Sequence, residues 1–139
     1  MENYATTTHA AGIIDLEKPR LSNRQQSFLN LAMKVAEPSE CNHRHGAVIV
    51  RGGSVLSVGM NKWRNEVALI NQLHAEGRST NISVHAEVDA LSRVADPRGA
   101  TIYVARVNRN GAPRLSKPCS SCARALKDAG ISKIIYTIN

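Results

Sequence analysis

Two short stretches, His85-Ala86-Glu87 and Pro118-Cys119-Ser120-Ser121-Cys122, carry the side chains around which the chain is organised. Together they supply one imidazole, two thiols and one carboxylate, which is the set of groups found in catalytic zinc sites. Three nitrogen and sulfur ligands leave one tetrahedral position open, and zinc with an open position activates water near neutral pH. The carboxylate then remains to transfer protons. The sequence therefore predicts a catalytic zinc centre.

The spacing within each stretch assigns the roles. Cys119 and Cys122 are three residues apart, so in a helix opened by Pro118 both sulfur atoms lie on one face and reach one ion. His85 and Glu87 are two residues apart, which places them about 200° apart around a helix and disfavours side-by-side ligation. We therefore expect His85, Cys119 and Cys122 to bind the metal and Glu87 to act as the catalytic acid and base.

The pattern His-x-Glu followed by Pro-Cys-x-x-Cys resembles the zinc-dependent cytidine deaminase superfamily, which includes the deoxycytidylate deaminases. The resemblance extends from about Ser22 to the C-terminus. It implies a three-layer α/β fold of the cytidine deaminase type, in which a mixed β-sheet with an N-terminal hairpin and parallel strands is flanked by helices. It also implies one catalytic Zn²⁺ ion and hydrolytic removal of an exocyclic amine from a nucleobase.

Length and composition predict one soluble domain. The 139 residues suffice for an ordinary core, 42% of them are hydrophobic, and no run approaches the ~18 apolar residues of a membrane span. The N-terminus lacks the features of a secretory signal, so we expect a cytoplasmic protein with no membrane partner. The net charge of +7 attracts phosphate, whereas the aromatic content of 4% disfavours a base-stacking surface for single strands.

The beginning of the chain is predicted to be an arm followed by a helix. Residues 1–21 show no sustained periodicity and are predicted to be flexible or loosely docked, ahead of one catalytic domain at 22–139. Ser22 and Gln25 have the spacing of a capping box, and Pro38 ends the apolar periodicity that follows.

The rest of the chain alternates strands and helices. Strands 47–50 and 54–60 are predicted to form a hairpin around Gly52-Gly53. Ser83 is predicted to cap a helix that begins near Val84 and turns Val88 towards the core. A strand at 101–107, a helix ended by Gly130 and a final strand around 134–138 complete two strand, helix, strand units. We expect both units to be right-handed crossovers with parallel pairings.

Residues 62–83 form an insertion between Asn61 and His85. Its apolar residues suggest a short helix ended by Gly77. The insertion resembles the deoxycytidylate deaminase branch, since the corresponding loop of the tRNA adenosine deaminases is shorter. It is interpreted either as a cover for the active site or as an edge helix with no role.

The resemblance implies three substrate contacts. Asn61 matches an asparagine that contacts the sugar or base, although an asparagine at the end of a strand is equally well explained by turn chemistry. The backbone around Ala86 and near Pro118 is implied to hold the edge of the base.

A basic loop precedes the second stretch and contributes Arg109, Arg114 and Lys117, which are predicted to bind phosphate. The predicted function is deamination of a cytosine-type base in a free pyrimidine nucleotide or nucleoside, with conversion of deoxycytidylate to deoxyuridylate as the leading candidate. One alternative is a deaminase acting on nucleic acid, either on adenosine in tRNA or on cytosine in single-stranded DNA. The charge of +7 supports that alternative.

A second alternative is a structural zinc protein without catalysis. Cys41 would then be a fourth ligand and close the site, but Glu87 would have no role. Cys41, His43 and His45 can also be read as a second metal site. The favoured interpretation is a loop whose histidines hydrogen-bond locally or line the substrate.

The resemblance also suggests assembly. Many relatives continue with a further helix and strand, whereas this sequence ends at Asn139. A wall of the pocket is therefore expected to be shorter, absent or donated by a second subunit, and a homo-oligomer is predicted.

Overall fold

The computed structural model describes residues 5–9, 12–14, 21–63, 75–77 and 83–139. The helices within these residues are Asn23–Ala36 (α1), Ala86–Leu91 (α2) and Ser120–Asp128 (α3). The strands are Ala5–His9 (β1), Gly12–Ile14 (β2), Arg44–Arg51 (β3), Ser54–Met60 (β4), Lys62–Trp63 (β5), Ser83–Val84 (β6), Thr101–Val107 (β7), Pro113–Arg114 (β8) and Lys133–Thr137 (β9).

One mixed sheet forms the centre of the fold. Its strands lie in the order β2-β1-β9-β7-β3-β4, and β8 pairs with β7 beside this path. β7 and β9 are parallel, whereas the other pairs in this sheet are antiparallel. β5 and β6 form a separate antiparallel pair. The predicted mixed sheet flanked by helices is confirmed.

The prediction of two parallel pairings is wrong in one case. The connection from β7 through α3 leads to β9, which is the parallel neighbour of β7. The connection from β4 through α2 leads to β7, which pairs with β3 in the antiparallel direction. Because β3 already occupies the position next to β4 in the hairpin, this connection passes over β3.

The helices lie on both faces of the sheet and create two apolar clusters. On one face, α1 packs its buried Leu29 and Ala32 against Val48, Tyr103 and Ile135. On the other face, α2 and α3 cover a second cluster: Ala47, Ile49, Ala86, Ala90, Ala100, Ile102, Val104, Leu126, Ile131, Ile134 and Tyr136. Successive residues of β3 and β7 alternate between the two clusters, as the pleat of a strand requires. The expected three layers are present.

Two glycines allow the helices to approach the sheet closely. A Cβ atom on Gly46 would lie 2.2 Å from the backbone oxygen of Ala32 in α1. A Cβ atom on Gly59 would lie 2.4 Å from the backbone nitrogen of Ala90 and 2.6 Å from the backbone oxygen of Ala86. The contact at Gly59 sets the height of α2 above the sheet.

Several local predictions are confirmed. Ser22 caps α1, and its side chain and that of Gln25 each accept a hydrogen bond from the other's backbone nitrogen. Gly52 and Gly53 join β3 to β4 with φ angles of 58° and 78°, which the mirror-image hairpin turn needs. Gly130 ends α3 with a φ of 87°.

The start of α2 differs from the prediction. The helix begins at Ala86 with His85 as its N-cap, and Ser83 and Val84 instead form β6. Val88 is 43% exposed, so its predicted place in the core is wrong. The residues that α2 buries are Ala86, Glu87, Asp89 and Ala90. Small residues face the sheet because Gly59 brings the two backbones together.

Helix α3 also begins slightly later than predicted. Cys119 is its N-cap and Ser120 its first residue, so Pro118 precedes the helix rather than opening it. Cys122 lies in the first turn and is buried. The two cysteines still occupy the same end of one helix, as their spacing predicted.

Two segments were not anticipated in full. The predicted arm at 1–21 contains β1 and β2, and β1 pairs with β9 along all five of its residues. The division into 1–21 and 22–139 stays a prediction. The apolar residues of the predicted insertion helix lie outside the described residues, whereas its two ends pair as β5 and β6. Among the described helices, none has the length and apolar character needed to cross a membrane.

Candidate active site

Three predicted metal ligands converge at the N-terminal ends of α2 and α3. The Nδ1 atom of His85 lies 3.1 Å from Sγ of Cys122 and 3.7 Å from Sγ of Cys119. The three donor atoms all lie within 4.8 Å of one another. Within the part of the chain that the structure describes, no other group of three or more such side chains meets this condition.

This donor set fits zinc. Bonds of about 2.0 Å to nitrogen and about 2.3 Å to sulfur at tetrahedral angles separate donor atoms by roughly 3.5 to 4 Å, close to the separations seen here. A set of one nitrogen and two sulfur donors binds zinc in preference to hard cations. His85 makes no side-chain capping bond to its helix, so its ring is not held in another role there. The three residues can therefore hold one zinc ion and leave one coordination position open.

The two thiols have different environments. A hydrogen bond from the Ser121 hydroxyl, 3.3 Å away, lowers the pKa of the Cys119 thiol to about 7. Burial raises the pKa of the Cys122 thiol, and the negative charge of Glu87 raises it further. Without metal, Cys122 therefore holds its proton. Zinc binding must displace that proton, which couples metal affinity to pH.

Glu87 lies on α2 two residues after His85. Its side chain is 5% exposed, and burial raises the pKa of its carboxyl group above the usual value. The helical turn directs Glu87 to the side of α2 that also meets Cys122, with which it interacts. A buried carboxyl group beside a metal site is suited to taking up and releasing a proton.

A cavity of about 380 Å³ opens beside the three ligands. Residues that the sequence analysis assigned to the site form much of its wall: Asn61, His85, Ala86, Glu87, Lys117 and Cys119. Pro118 lies next to this wall without forming part of it. The structure therefore brings the predicted metal and acid-base residues together with Asn61 and Ala86.

Asn61 is buried, and its side-chain amide is hydrogen-bonded within the protein. Its Oδ1 atom accepts hydrogen bonds from the Ser39 hydroxyl at 2.6 Å and from the His45 backbone nitrogen at 2.9 Å. Its Nδ2 atom donates to the backbone oxygen of His43. Asn61 thus joins the end of β4 to the loop before β3. Asn61 therefore has the structural role expected at the end of a strand and also lines the cavity, whereas its contact with the sugar or base stays a prediction.

The predicted phosphate-binding residues separate into two groups. Lys117 lines the cavity and is exposed. Arg109 and Arg114 are exposed on the hairpin that ends in β8, and neither lines the cavity. The structure thus brings only Lys117 of this set to the site.

The loop before β3 does not supply a metal ligand. Cys41 is buried and lines the cavity, but it is not part of the group of close donor atoms. Cys41, His43 and His45 likewise do not form a second group of that kind. His43 and His45 line the cavity instead, in agreement with the favoured interpretation.

Sequence reasoning missed Trp63 and Ser116, which also line the cavity. Trp63 is two residues after Asn61, and in extended chain alternate residues share a face, so the spacing could have suggested it. Ser116 has no such signal. Its hydroxyl is fixed by a distant strand, at 2.8 Å from Oγ1 of Thr137.

Comparison with known proteins identifies the class. A family model described as the cytidine and deoxycytidylate deaminase zinc-binding region matches residues 22–138. The chain therefore belongs to this family of zinc-dependent deaminases, and the predicted enzyme class and zinc cofactor are confirmed. No curated protein matches the chain in sequence.

Solved structures share the fold at low identity. The apo dCMP deaminase from cyanophage S-TIM5 is 21% identical with a TM-score of 0.58, and the match covers 80% of each chain. The same phage enzyme in complex with dCMP and dUMP is 19% identical with a TM-score of 0.55, covering 81% of this chain and 79% of that one. Cytidine deaminase from Mycobacterium leprae is 20% identical with a TM-score of 0.53, covering 84% and 94%. Identities this low show the fold alone.

Proposed function

We propose that this enzyme removes the exocyclic amine from a cytosine-type base in a free pyrimidine nucleotide or nucleoside, with deoxycytidylate as the preferred substrate. The observation that carries the proposal is the cavity of about 380 Å³ beside the ligands and Glu87. Its size suits a small molecule held mostly within the protein. A phage enzyme of the same fold that was solved with dCMP and dUMP supports this class of substrate.

The ligands and the acid-base residue have separate tasks. Zinc held by His85, Cys119 and Cys122 supplies a Lewis acid that makes water nucleophilic at neutral pH. Glu87 accepts one proton from the attacking water and passes it to the ring nitrogen, which prepares the neighbouring carbon for attack. Glu87 then moves the second proton to the amine.

The balance of the reaction follows from these transfers. The oxygen of water forms a bond to the carbon that bears the amine, and the bond from that carbon to nitrogen breaks. The amine leaves as ammonia, and the base becomes a uracil-type ring. One carboxylate serves first as a base and then as an acid, so Glu87 must lie within reach of both nitrogens.

The wall of the cavity supplies groups that can orient the base. Ala86 is the first residue of α2, and the backbone N–H groups at such an end are not used within the helix. We propose that backbone near Ala86 and Pro118 holds the edge of the base. We also propose that Asn61 contacts the sugar or base and that Lys117 contacts phosphate, which is supported by the presence of both residues in the cavity wall. Arg109 and Arg114 act at most through their charge, since they do not line the cavity.

An assembly of identical subunits in the cytoplasm is part of the proposal. The assembly rests on the family resemblance described above, and the location stays an expectation from the sequence. Light scattering on the purified protein measures the subunit number, and a monomer at micromolar concentration would contradict this part of the proposal.

The test is a panel of amine donors with ammonia release as the readout. The panel contains deoxycytidylate, deoxycytidine, cytidine, cytosine, adenosine and guanine, together with a single-stranded DNA oligonucleotide and tRNA. The zinc-loaded protein is expected to act most efficiently on deoxycytidylate. Turnover of a polymer with no turnover of free compounds would overturn the proposal, and so would zinc-loaded, folded protein that acts on nothing in the panel.

Glu87→Gln is the matched variant for the chemical step. The amide keeps the size of the side chain but cannot shuttle protons, so turnover is expected to fall by about a hundredfold or more. Zinc content and the circular dichroism spectrum should stay unchanged. A variant with near-normal turnover would show that Glu87 is not the proton carrier.

A further inference from the structure

Two histidines in the wall of the cavity have no role in the mechanism above. His43 and His45 lie on either side of Arg44, in the loop that leads into β3 and at its start. Both line the cavity, and neither belongs to the metal-binding group. In a neutral imidazole one nitrogen carries the proton and donates, and the other accepts. The Nε2 atom of each histidine is therefore either a donor or an acceptor, depending on which nitrogen carries the proton.

Arg106 determines which nitrogen of His43 carries the proton. One terminal nitrogen of the Arg106 guanidinium lies 2.7 Å from Nδ1 of His43. A guanidinium only donates hydrogen bonds, so Nδ1 must accept and cannot carry a proton. The neutral ring of His43 then carries its proton on Nε2. His43 therefore offers the cavity a hydrogen-bond donor.

The backbone determines the opposite arrangement in His45. Its Nδ1 atom lies 3.2 Å from the backbone oxygen of His43. A carbonyl only accepts, so Nδ1 of His45 carries the proton. Burial lowers the pKa of His45, and the positive charge of Arg106 adds to this effect, so the ring stays neutral. The remaining nitrogen, Nε2, therefore offers the cavity an acceptor.

Asn61 fixes the loop that presents this pair. It accepts from the backbone nitrogen of His45 and donates to the backbone oxygen of His43. The Ser39 hydroxyl also donates to the backbone oxygen of Asn61 at 2.8 Å. The relative position of the two rings is thus set by backbone contacts and not by the rings alone.

The two histidines in the cavity wall differ in their exposure to solvent. Glu87 is buried beside the metal ligands, His45 is half-buried, and His43 is exposed next to Arg106. His45 lies close enough to His43 and to the metal ligand His85 for a charge on either ring to lower its pKa. From its buried to its exposed part, the wall therefore presents an acid-base residue, an acceptor, and a donor beside a cation. A nucleoside monophosphate presents a base, a sugar hydroxyl and a phosphate in the same order.

We propose that His43, held by Arg106, donates a hydrogen bond from Nε2 to the phosphate of a nucleoside monophosphate, and that His45 accepts one from its sugar hydroxyl. The inference rests on the proposed function and names the residues that select a nucleotide over a nucleoside. Arg106 is a positioning residue in this arrangement, because it acts through the ring of His43.

The protonation pattern can be measured without a substrate. Long-range proton–nitrogen NMR spectra of the zinc-loaded protein distinguish the two neutral forms of an imidazole. We expect His43 to carry its proton on Nε2 and His45 on Nδ1. A spectrum in which His43 carries its proton on Nδ1, or on both nitrogens, would overturn the proposal whatever the activity of the enzyme.

Selectivity is measured as kcat/KM for deoxycytidylate and for deoxycytidine. His43→Ala is expected to lower the value for the nucleotide by about tenfold to a hundredfold and to leave the value for the nucleoside nearly unchanged. His43→Gln should recover most of the loss, since its amide nitrogen occupies the place of Nε2. His45→Ala should lower both values by a similar factor, because both substrates have the sugar.

The role of Arg106 is tested by a double-mutant cycle. Arg106→Met should raise KM for deoxycytidylate with little change in kcat, and Arg106→Lys should recover part of the effect. Combined with His43→Ala, Arg106→Met should add nothing further, because both changes remove the same contact. Arg24→Met, at an exposed position near the Gly52-Gly53 turn, is the matched control for lost charge.

The outcomes separate the two proposals. If the wild-type enzyme deaminates deoxycytidylate but His43→Ala affects nucleotide and nucleoside equally, the selection proposal is wrong and the proposed function stands. Additive effects of Arg106→Met and His43→Ala would show that Arg106 binds phosphate itself. If the wild-type enzyme, with zinc bound, acts on none of the free compounds in the panel, both proposals fail before any variant is made.

Discussion

The Ser116 and Thr137 hydroxyls lie 2.8 Å apart in the interior of the protein, where they join the loop before Cys119 to the end of β9. Thr137 is completely buried, accepts from the backbone nitrogen of Arg106 and donates to the backbone oxygen of Arg114. This pair therefore anchors one metal ligand to the sheet.

Replacing Thr137 by valine should leave these buried groups without partners. Thr137→Val is expected to reduce the free energy of unfolding by about 1 to 3 kcal/mol and to weaken zinc binding. Chemical denaturation and zinc titration measure the two effects. Thr137→Ser keeps the hydroxyl and should retain most of both. Equal losses in the two variants would contradict the role of the hydroxyl.

The zinc site predicts a clear difference among the three cysteines. Cys119→Ser and Cys122→Ser should each lose the metal and lower the thermal midpoint of the zinc-loaded protein by at least ~5 °C. Cys41→Ser should retain one equivalent of zinc, because Cys41 is not among the close donor atoms. Elemental analysis gives the zinc content. Loss of zinc from Cys41→Ser would support a closed, structural site.

Gly59 and Gly46 provide a matched pair of variants. Gly59→Ala brings a methyl group against the backbone of α2, so it should lower both stability and zinc affinity by displacing His85 and Glu87. Gly46→Ala makes a similar collision with α1, which carries no site residue. It should lower stability while the folded fraction binds zinc normally. Unfolding curves and zinc titrations separate the two effects, and normal zinc affinity in Gly59→Ala would contradict this account.

The ion pair between Asp89 and Lys62 predicts a pH-dependent stability. Burial alone would raise the pKa of Asp89, but Lys62 at 2.9 Å and the Met60 backbone nitrogen lower it below its usual value. A lowered carboxyl pKa stabilises the folded state above the unfolded value of about 3.9 and ceases to do so as the pH falls through the folded value. Asp89→Asn should therefore cost about 1 to 2 kcal/mol at pH 7.

That cost should shrink as the pH falls below about 4, because the unfolded chain then takes up a proton at this carboxyl group, whereas the folded protein does so only at lower pH. Denaturation curves at several pH values measure the difference. Asp96→Asn removes an exposed carboxylate that pairs with Arg98, and solvent screens that pair. It should cost less than Asp89→Asn at pH 7. A constant difference between wild type and Asp89→Asn from pH 7 to pH 3 would contradict the assignment.

The chemistry of the site was readable because it depends on short spacings. The two cysteines needed only one helical turn to meet, and His85 and Glu87 needed only the N-cap and the first turn of one short helix. The capping box at Ser22 and the turn at Gly52-Gly53 were equally local. In each case the residues that determine the structure lie within the same short segment.

The neighbours of each strand depended on distant residues. The apolar run 101–107 showed that β7 is buried on both faces, but burial does not reveal that β3 lies beside it in the antiparallel direction. The face of α2 was misjudged for a related reason. Val88 is the larger apolar residue, yet alanines face the sheet because Gly59, far away in sequence, draws the backbone close. The sequence of the arm at 1–21 has no sustained periodicity, so it did not indicate the strand β1, whose backbone pairs with β9.

The short pairing of β5 with β6 separates changes in the chain between these strands from changes at the metal site. Lys62 lies opposite Val84, and Trp63 lies opposite Ser83, so the chain leaves and returns at one point just before His85. Closing a longer loop at such a point costs only about 0.6 kcal/mol for each doubling of its length. The sequence between the two rungs can therefore be exchanged or lengthened while the metal ligand stays in place. Evolution, or a protein engineer, can change the length of the chain there without rebuilding the metal site.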